Sequence, residues 1–232
     1  MLAMRAIAEE LMDADDLDAA TYAAVVHDLA RVNTLTLARR PTIRFLNKIA
    51  ARHGPMSGAI RILDVGFGDG DMLRAIARWA RKRGQPVELV GIDLNPRSAP
   101  AAAAATPADM AIDYRTGDYA ELASQQWDVV MSSLVAHHMT HGQLVEFLRF
   151  MDHEARGGWL VNDLHRHGFA YLGYPLLATL MRWHPIVRHD GQLSIARSYR
   201  PAEWPPILAE AGITGVKVNR RFPFRLCVSK LL

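Results

Sequence analysis

The nine residues from Leu63 to Asp71, LDVGFGDGD, constrain this chain more than any other stretch. They follow the apolar run IRILDV and precede the amphipathic run DMLRAIARWARKR, so three glycines stand where a strand gives way to a helix. A turn of that kind lets backbone close on a ligand at the carboxyl edge of a parallel sheet. The spacing is Gly66-x-Gly68-x-Gly70, whereas the loop that seats a pyrophosphate would need its third glycine where Asp71 stands. Asp64, Asp69 and Asp71 raise the cost of bringing in a dianion and favour a cation. A second carboxylate, Asp93 in GIDLNP, ends the next apolar run, where it can accept both hydroxyls of a ribose. These residues predict an adenosine-bearing ligand with positive charge, and S-adenosylmethionine meets that description. For Asp69 and Asp71 the competing reading is that they cap the following helix.

The rest of the chain repeats the rhythm set by the loop. VELVGIDL, MAIDYRTGD, WDVVMSSL and GGWLVNDL read as further strands, with a helix over HGQLVEFLRFMDHEA between the last two. Strands apolar on both faces that alternate with helices predict an α/β fold built on a doubly wound, mostly parallel sheet. The C-terminal ITGVKVNRRFPFRLCVSKLL reads as two strands in an antiparallel hairpin at the sheet edge, preceded by a helix over RPAEWPPILAEAG. The first fifty-odd residues read as helices, with Pro41 in a first turn and Gly54-Pro55 as a stop. They are expected to form an N-terminal helical cap over residues 1–56, ahead of a ligand-binding domain over 57–232. The stretch from about 165 to 200 breaks the alternation and reads as an insertion.

Composition excludes several alternatives. A net charge of +3 spread along the chain gives no concentrated basic face for nucleic acid. The densest basic run, RWARKR, ends at Gly84 and reads as a helix C-terminus. A lone cysteine, Cys227, excludes an intramolecular disulfide and fits a reducing compartment. No signal-like or membrane-length apolar run is seen, so a cytoplasmic location is expected.

Taken in order, LDVGFGDG, VGIDLNP, RTGDYAEL, WDVVMSSLVAHHM and GGWLVNDLHRH resemble the successive motifs of class I S-adenosylmethionine-dependent methyltransferases. The subgroup is similar to enzymes that methylate phenols, quinones or polyketides. The resemblance runs from about Ile60 to the C-terminus and implies a Rossmann-like sheet of seven strands with the last reversed. It assigns Asp64, Gly66, Gly68 and Gly70 to the methionine part of the cofactor and Asp93 with Leu94 to the ribose side. Asp118 and Tyr119 fall at the adenine, and Ser132, with Ser133, in the methionine pocket.

Methyl transfer from a sulfonium is an in-line displacement in which positioning supplies much of the rate. An oxygen nucleophile must still lose its proton, and histidine is the natural base near neutral pH. The candidates at the carboxyl ends of strands are His137, His138 and His165. Asp163, His165 and His167 alternate and would share one face of an extended chain, as a base with its carboxylate or as metal ligands. A further ligand is not nominated, so no metal is expected. Phe169 to Met181 is thirteen residues without a charge, too short to cross a bilayer. It reads either as a core helix or as a lid on an apolar acceptor, with Tyr171, Tyr174, Trp183 and His184 lining it. Arg188, Arg197 and Arg200 read as surface residues. The expected partner is a small aromatic or lipophilic acceptor, with O-methylation of a phenol favoured over C-methylation of a quinol or polyketide ring. A cofactor-binding relative without turnover is a further alternative, and a homodimer is compatible. The rival nicotinamide-dependent oxidoreductase would need the glycine that Asp71 replaces.

Overall fold

The computed structural model describes residues 2–53 and 58–232. Two helices, α1 (Ala19–Leu35) and α2 (Arg39–His53), precede the alternating part of the chain. There follow β1 (Ile60–Val65), α3 (Asp71–Arg83), β2 (Val87–Asp93), α4 (Ser98–Ala105), β3 (Asp113–Thr116), β4 (Trp127–Ser133), α5 (His141–Glu154) and β5 (Ala155–Leu164). After α6 (Gly168–Leu180), α7 (Pro185–Arg197) and α8 (Trp204–Ala211), the chain closes with β6 (Lys217–Arg221) and β7 (Arg225–Leu231).

The strands form one seven-stranded sheet in the order β3-β2-β1-β4-β5-β7-β6. β7 runs antiparallel to both its neighbours, and the remaining strand pairs are parallel. The hairpin expected at the C-terminus is present, with β6 at the edge and β7 between it and β5. Strand order reverses between β1 and β4, so their carboxyl ends open a crevice, the usual ligand position in such sheets. Apolar side chains fill both faces. Phe147, Leu148 and Met151 of α5 pack with Trp204 and Ile207 of α8 on one face. Phe45, Leu46 and Ile49 of α2 pack with Leu73 and Ile76 of α3 on the other, so α2 is part of the sheet's own core.

The N-terminus departs from the helical expectation. Residues 2–18 form a strap with a short 3-10 turn at Leu11–Asp13 and a further turn in which the Leu17 N–H donates to the Ala14 carbonyl at 3.3 Å, and α-helix begins only after Asp18, whose side chain accepts the Thr21 N–H at 2.9 Å. Asp190 of α7 holds the strap by accepting the Leu11 and Met12 backbone N–H groups at 3.0 and 2.9 Å. Three aspartates between positions 13 and 16 oppose a longer helix there, because carboxylates suit only its first turn. The Gly54-Pro55 stop lies outside the described residues.

The region from 165 to 200 folds as a helical pair. Ala178, Trp183 and Val187 of this pair form a small core with Val25 of α1. Helix α6 is apolar on both sides: Tyr174 and Leu177 face inward, while Phe169, Leu172, Leu176 and Leu180 are 71–77% exposed. Among the described residues no helix is long and apolar enough to cross a membrane.

Candidate active site

The loop after β1 takes its shape from its glycines. Gly66 and Gly70 have φ of 74° and 73°, a left-handed backbone that side-chain-bearing residues avoid. A Cβ at Gly66 would run into Val135, and one at Gly70 into the Tyr114 ring. At Gly68, also left-handed, a Cβ would meet open space. The Gly68 N–H donates to Asp93 Oδ2 at 2.9 Å, and Asn95 N–H to Asp93 Oδ1 at 2.9 Å. These two bonds fix the β2 carboxylate beside the loop, and burial raises its pKa.

The loop aspartates divide by partner. Asp69 pairs with Arg74, and Asp71 pairs with Arg39 at 2.9 Å. Gly70, not an aspartate, occupies the N-cap of α3. Asp64 has no partner for its buried Oδ1, and burial with the charges of Asp71 and Asp93 raises its pKa well above the usual carboxylate range. An unpaired, desolvated carboxylate is suited to a ligand that carries positive charge.

Beyond the loop, a cavity of about 790 Å³ runs under α1, α6 and α7. That volume is at the upper part of the range for small-molecule sites. One end is walled by Asp64, Gly66, Gly68, Asp93 and Leu94, with Tyr119 and Ser133 further along. The other end is apolar, with Val25, Leu29, Tyr174, Leu177 and Val187. Its polar groups include Glu10, His137 and His138.

His137 is buried and held by Asp163 on β5. Asp163 Oδ2 accepts the His137 backbone N–H at 2.9 Å, and Oδ1 lies 2.8 Å from Nδ1. Among the described residues Nε2 has no hydrogen-bond partner, and it lies 3.6 Å from Glu10 Oε1. Burial works against the imidazolium, but Asp163 and Glu10 outweigh it and raise the His137 pKa to about 9. His138 is more open, with Nδ1 3.1 Å from Asp13 Oδ2 and Nε2 3.8 Å from Glu10 Oε2. The preceding Leu134 adopts φ of 65°, a strained conformation for a side-chain-bearing residue in a ligand-facing loop.

The remaining sequence candidates sit elsewhere. Asp118 is not in the cavity wall; its carboxylate caps the next turn by accepting the Ala120 N–H at 2.9 Å. Ser133 lines the cavity and Ser132 does not, because successive strand residues face opposite ways. His165 lies outside the cavity wall, where burial, aided by Arg220 and His167, lowers its pKa to about 4. Its ring packs 5.4 Å from that of His167, which packs on Phe224, while Asp163 bonds His137 instead, so Asp163, His165 and His167 form no metal-binding group among the described residues. Of the four expected acceptor residues only Tyr174 lines the cavity. Trp183 is core of the helical pair, His184 caps α7, and the Tyr171 carbonyl accepts a bond from Gln192. Arg197 is buried beside Glu10 rather than on the surface, with Nη1 3.6 Å from Oε1. Glu10 itself was invisible as a site residue, since it stands in a strap whose path only the fold determines.

Residues 62–156 match the family model described as a methyltransferase domain. No curated protein matches the chain. Among solved structures, a SAM-dependent methyltransferase from Aquifex aeolicus is similar at 15% identity and a TM-score of 0.60, over 92% of this chain and 98% of that one. The plantazolicin methyltransferase BamL, in complex with a triazolic desmethylPZN analogue and SAH, aligns with a TM-score of 0.61 at 14% identity, over 84% and 70%. Magnesium protoporphyrin IX methyltransferase from Synechocystis PCC 6803, with bound SAH, aligns at 0.54 and 16% identity, over 83% of each chain. Identities this low establish the fold. With the 3-2-1-4-5-7-6 strand order they give the chain the Rossmann-like methyltransferase fold, and residues 62–156 carry the match to a methyltransferase domain.

Proposed function

We propose that the chain transfers the methyl group of S-adenosylmethionine to an oxygen of a small, largely apolar acceptor, a phenolic hydroxyl being the favoured target. The observation that carries this reading is the division of one cavity into two ends of different chemistry. The polar end has an unpaired Asp64, an anchored Asp93 and the open Gly68, which suit an ammonium, a ribose and close backbone approach. When bound there, the sulfonium supplies an electrophilic methyl group. The apolar end suits a ring or alkyl chain, and Glu10, His137 and His138 are polar groups of the cavity wall able to engage an acceptor hydroxyl. The strap and α1, with residues 1–56 as a cap and 165–200 as a lid, exclude water from the transfer. C-methylation of an activated ring would use the same chamber.

The test is turnover. Incubation with S-adenosylmethionine and a panel of alkylphenols, quinols and hydroxylated polyketides should yield S-adenosylhomocysteine and a product 14 mass units heavier, roughly one CH₂. Cofactor binding with silence across the whole panel would instead favour a non-catalytic relative. Methylation confined to carbon would replace the O-methyl reading.

A further inference from the structure

Glu10, His137 and His138 share a geometry that proton transfer alone does not require. Each histidine has a carboxylate on Nδ1: Asp163 at 2.8 Å from His137 and Asp13 at 3.1 Å from His138. A carboxylate in that position holds a proton on Nδ1 and turns Nε2 to face the other way. Both Nε2 atoms then face one carboxylate, at 3.6 Å from Glu10 Oε1 and 3.8 Å from Oε2. Those separations are beyond hydrogen-bond range. They are close to the roughly 3.4 Å between two ligand atoms each bonded at about 2.1 Å to one tetrahedral ion.

The three donor atoms lie within 4.8 Å of one another. His137 is 2% exposed and its Nε2 has no hydrogen-bond partner among the described residues, so a buried ring nitrogen is aimed at the centre of the group, and a metal ion bound there would displace its proton. Ser194 Oγ donates to Glu10 Oε1 at 2.8 Å and Arg197 approaches the same oxygen. No hydrogen bond engages Oε2 among the described residues. Two imidazoles and one carboxylate, leaving positions open, are a donor set for divalent transition metals.

We propose that Glu10, His137 and His138 hold one divalent transition-metal ion at the acceptor end of the cavity, oriented by Asp163 and Asp13. An acceptor oxygen reaching the ion from the cavity would complete its coordination. This inference rests on the reading of that end as the acceptor chamber.

Tag-free, chelator-treated protein titrated with Co(II) and Zn(II), followed by visible absorption and calorimetry, tests it. One equivalent should bind, with ligand-field bands for Co(II). Glu10→Gln and the partly exposed His138→Ala should each weaken binding at least about tenfold, and Asp13→Asn about tenfold through the orienting bond. S-adenosylhomocysteine affinity should stay unchanged in all three variants. Absence of stoichiometric metal binding, or binding that survives both Glu10→Gln and His138→Ala, overturns the site. Failure of the wild-type protein to bind S-adenosylhomocysteine would strike the cofactor reading instead and leave the metal result standing.

Discussion

Two of the three loop aspartates are paired and one is not, and that separates their roles. Asp69 and Asp71 are paired with Arg74 and Arg39, while the buried Oδ1 of Asp64 has no partner among the described residues. The sequence distinguishes Asp64 by its position on the strand, but it does not show which arginines neutralise the other two. The histidines were harder to sort. His137 and His165 both stand at strand ends, yet Asp163 draws the first into the cavity wall, and the second lies beyond it among cations. His165 therefore carries a testable signature in stability. Its pKa falls from 6.5 in the unfolded chain to about 4 in the fold, mainly by burial. The unfolded state takes up its proton first, so stability should decline as pH drops from 6.5 towards 4. Urea midpoints at pH 7 and pH 5 should converge in His165→Gln relative to the wild type. An equal acid loss in both proteins would contradict the assignment.

At the scale of elements, the alternation of strands and helices was readable because each follows its own hydrophobic period. Helix α6 was not, since GFAYLGYPLLATL is apolar around its circumference and only its neighbours define an inside. The fold puts Leu177 against the core of the helical pair and leaves the adjacent Leu176 exposed. Leu177→Asp should cost about 2 kcal/mol or more by burying a charge. Leu176→Asp should stay within about 0.5 kcal/mol of the wild type. Denaturant unfolding of the two variants measures the difference, and similar losses would mean that α6 is oriented otherwise. Trp183 and His184, expected as acceptor contacts, do not line the cavity: Trp183 packs in the core of the helical pair and His184 caps α7.

Across the whole molecule, the cavity is assembled from segments far apart in sequence. The loop after β1 and the segment after β4 form its floor, α6 and α7 its roof, and the strap closes it by way of Asp190. Contacts between residue 10 and residues 137, 138 and 194 leave no local pattern, which is why Glu10 could not be read from the chain. Asp190→Ala removes the acceptor for two strap N–H groups, each worth about 1–3 kcal/mol when left buried and unpaired. Hydrogen exchange at Leu11 and Met12 should accelerate in that variant while exchange in β1 and β4 stays slow. Unchanged protection at both amides would show that the strap is held by other contacts.

The polar end of the cavity, with Asp64, Gly68 and Asp93, suits a cationic adenosine ligand rather than a dinucleotide. Calorimetric titration with S-adenosylhomocysteine, set beside NAD, addresses it directly. One equivalent of S-adenosylhomocysteine should bind, at least about tenfold more weakly in Asp93→Ala, where two hydroxyl acceptors are lost. NAD should give no heat of binding. Binding of NAD without S-adenosylhomocysteine would contradict that assignment.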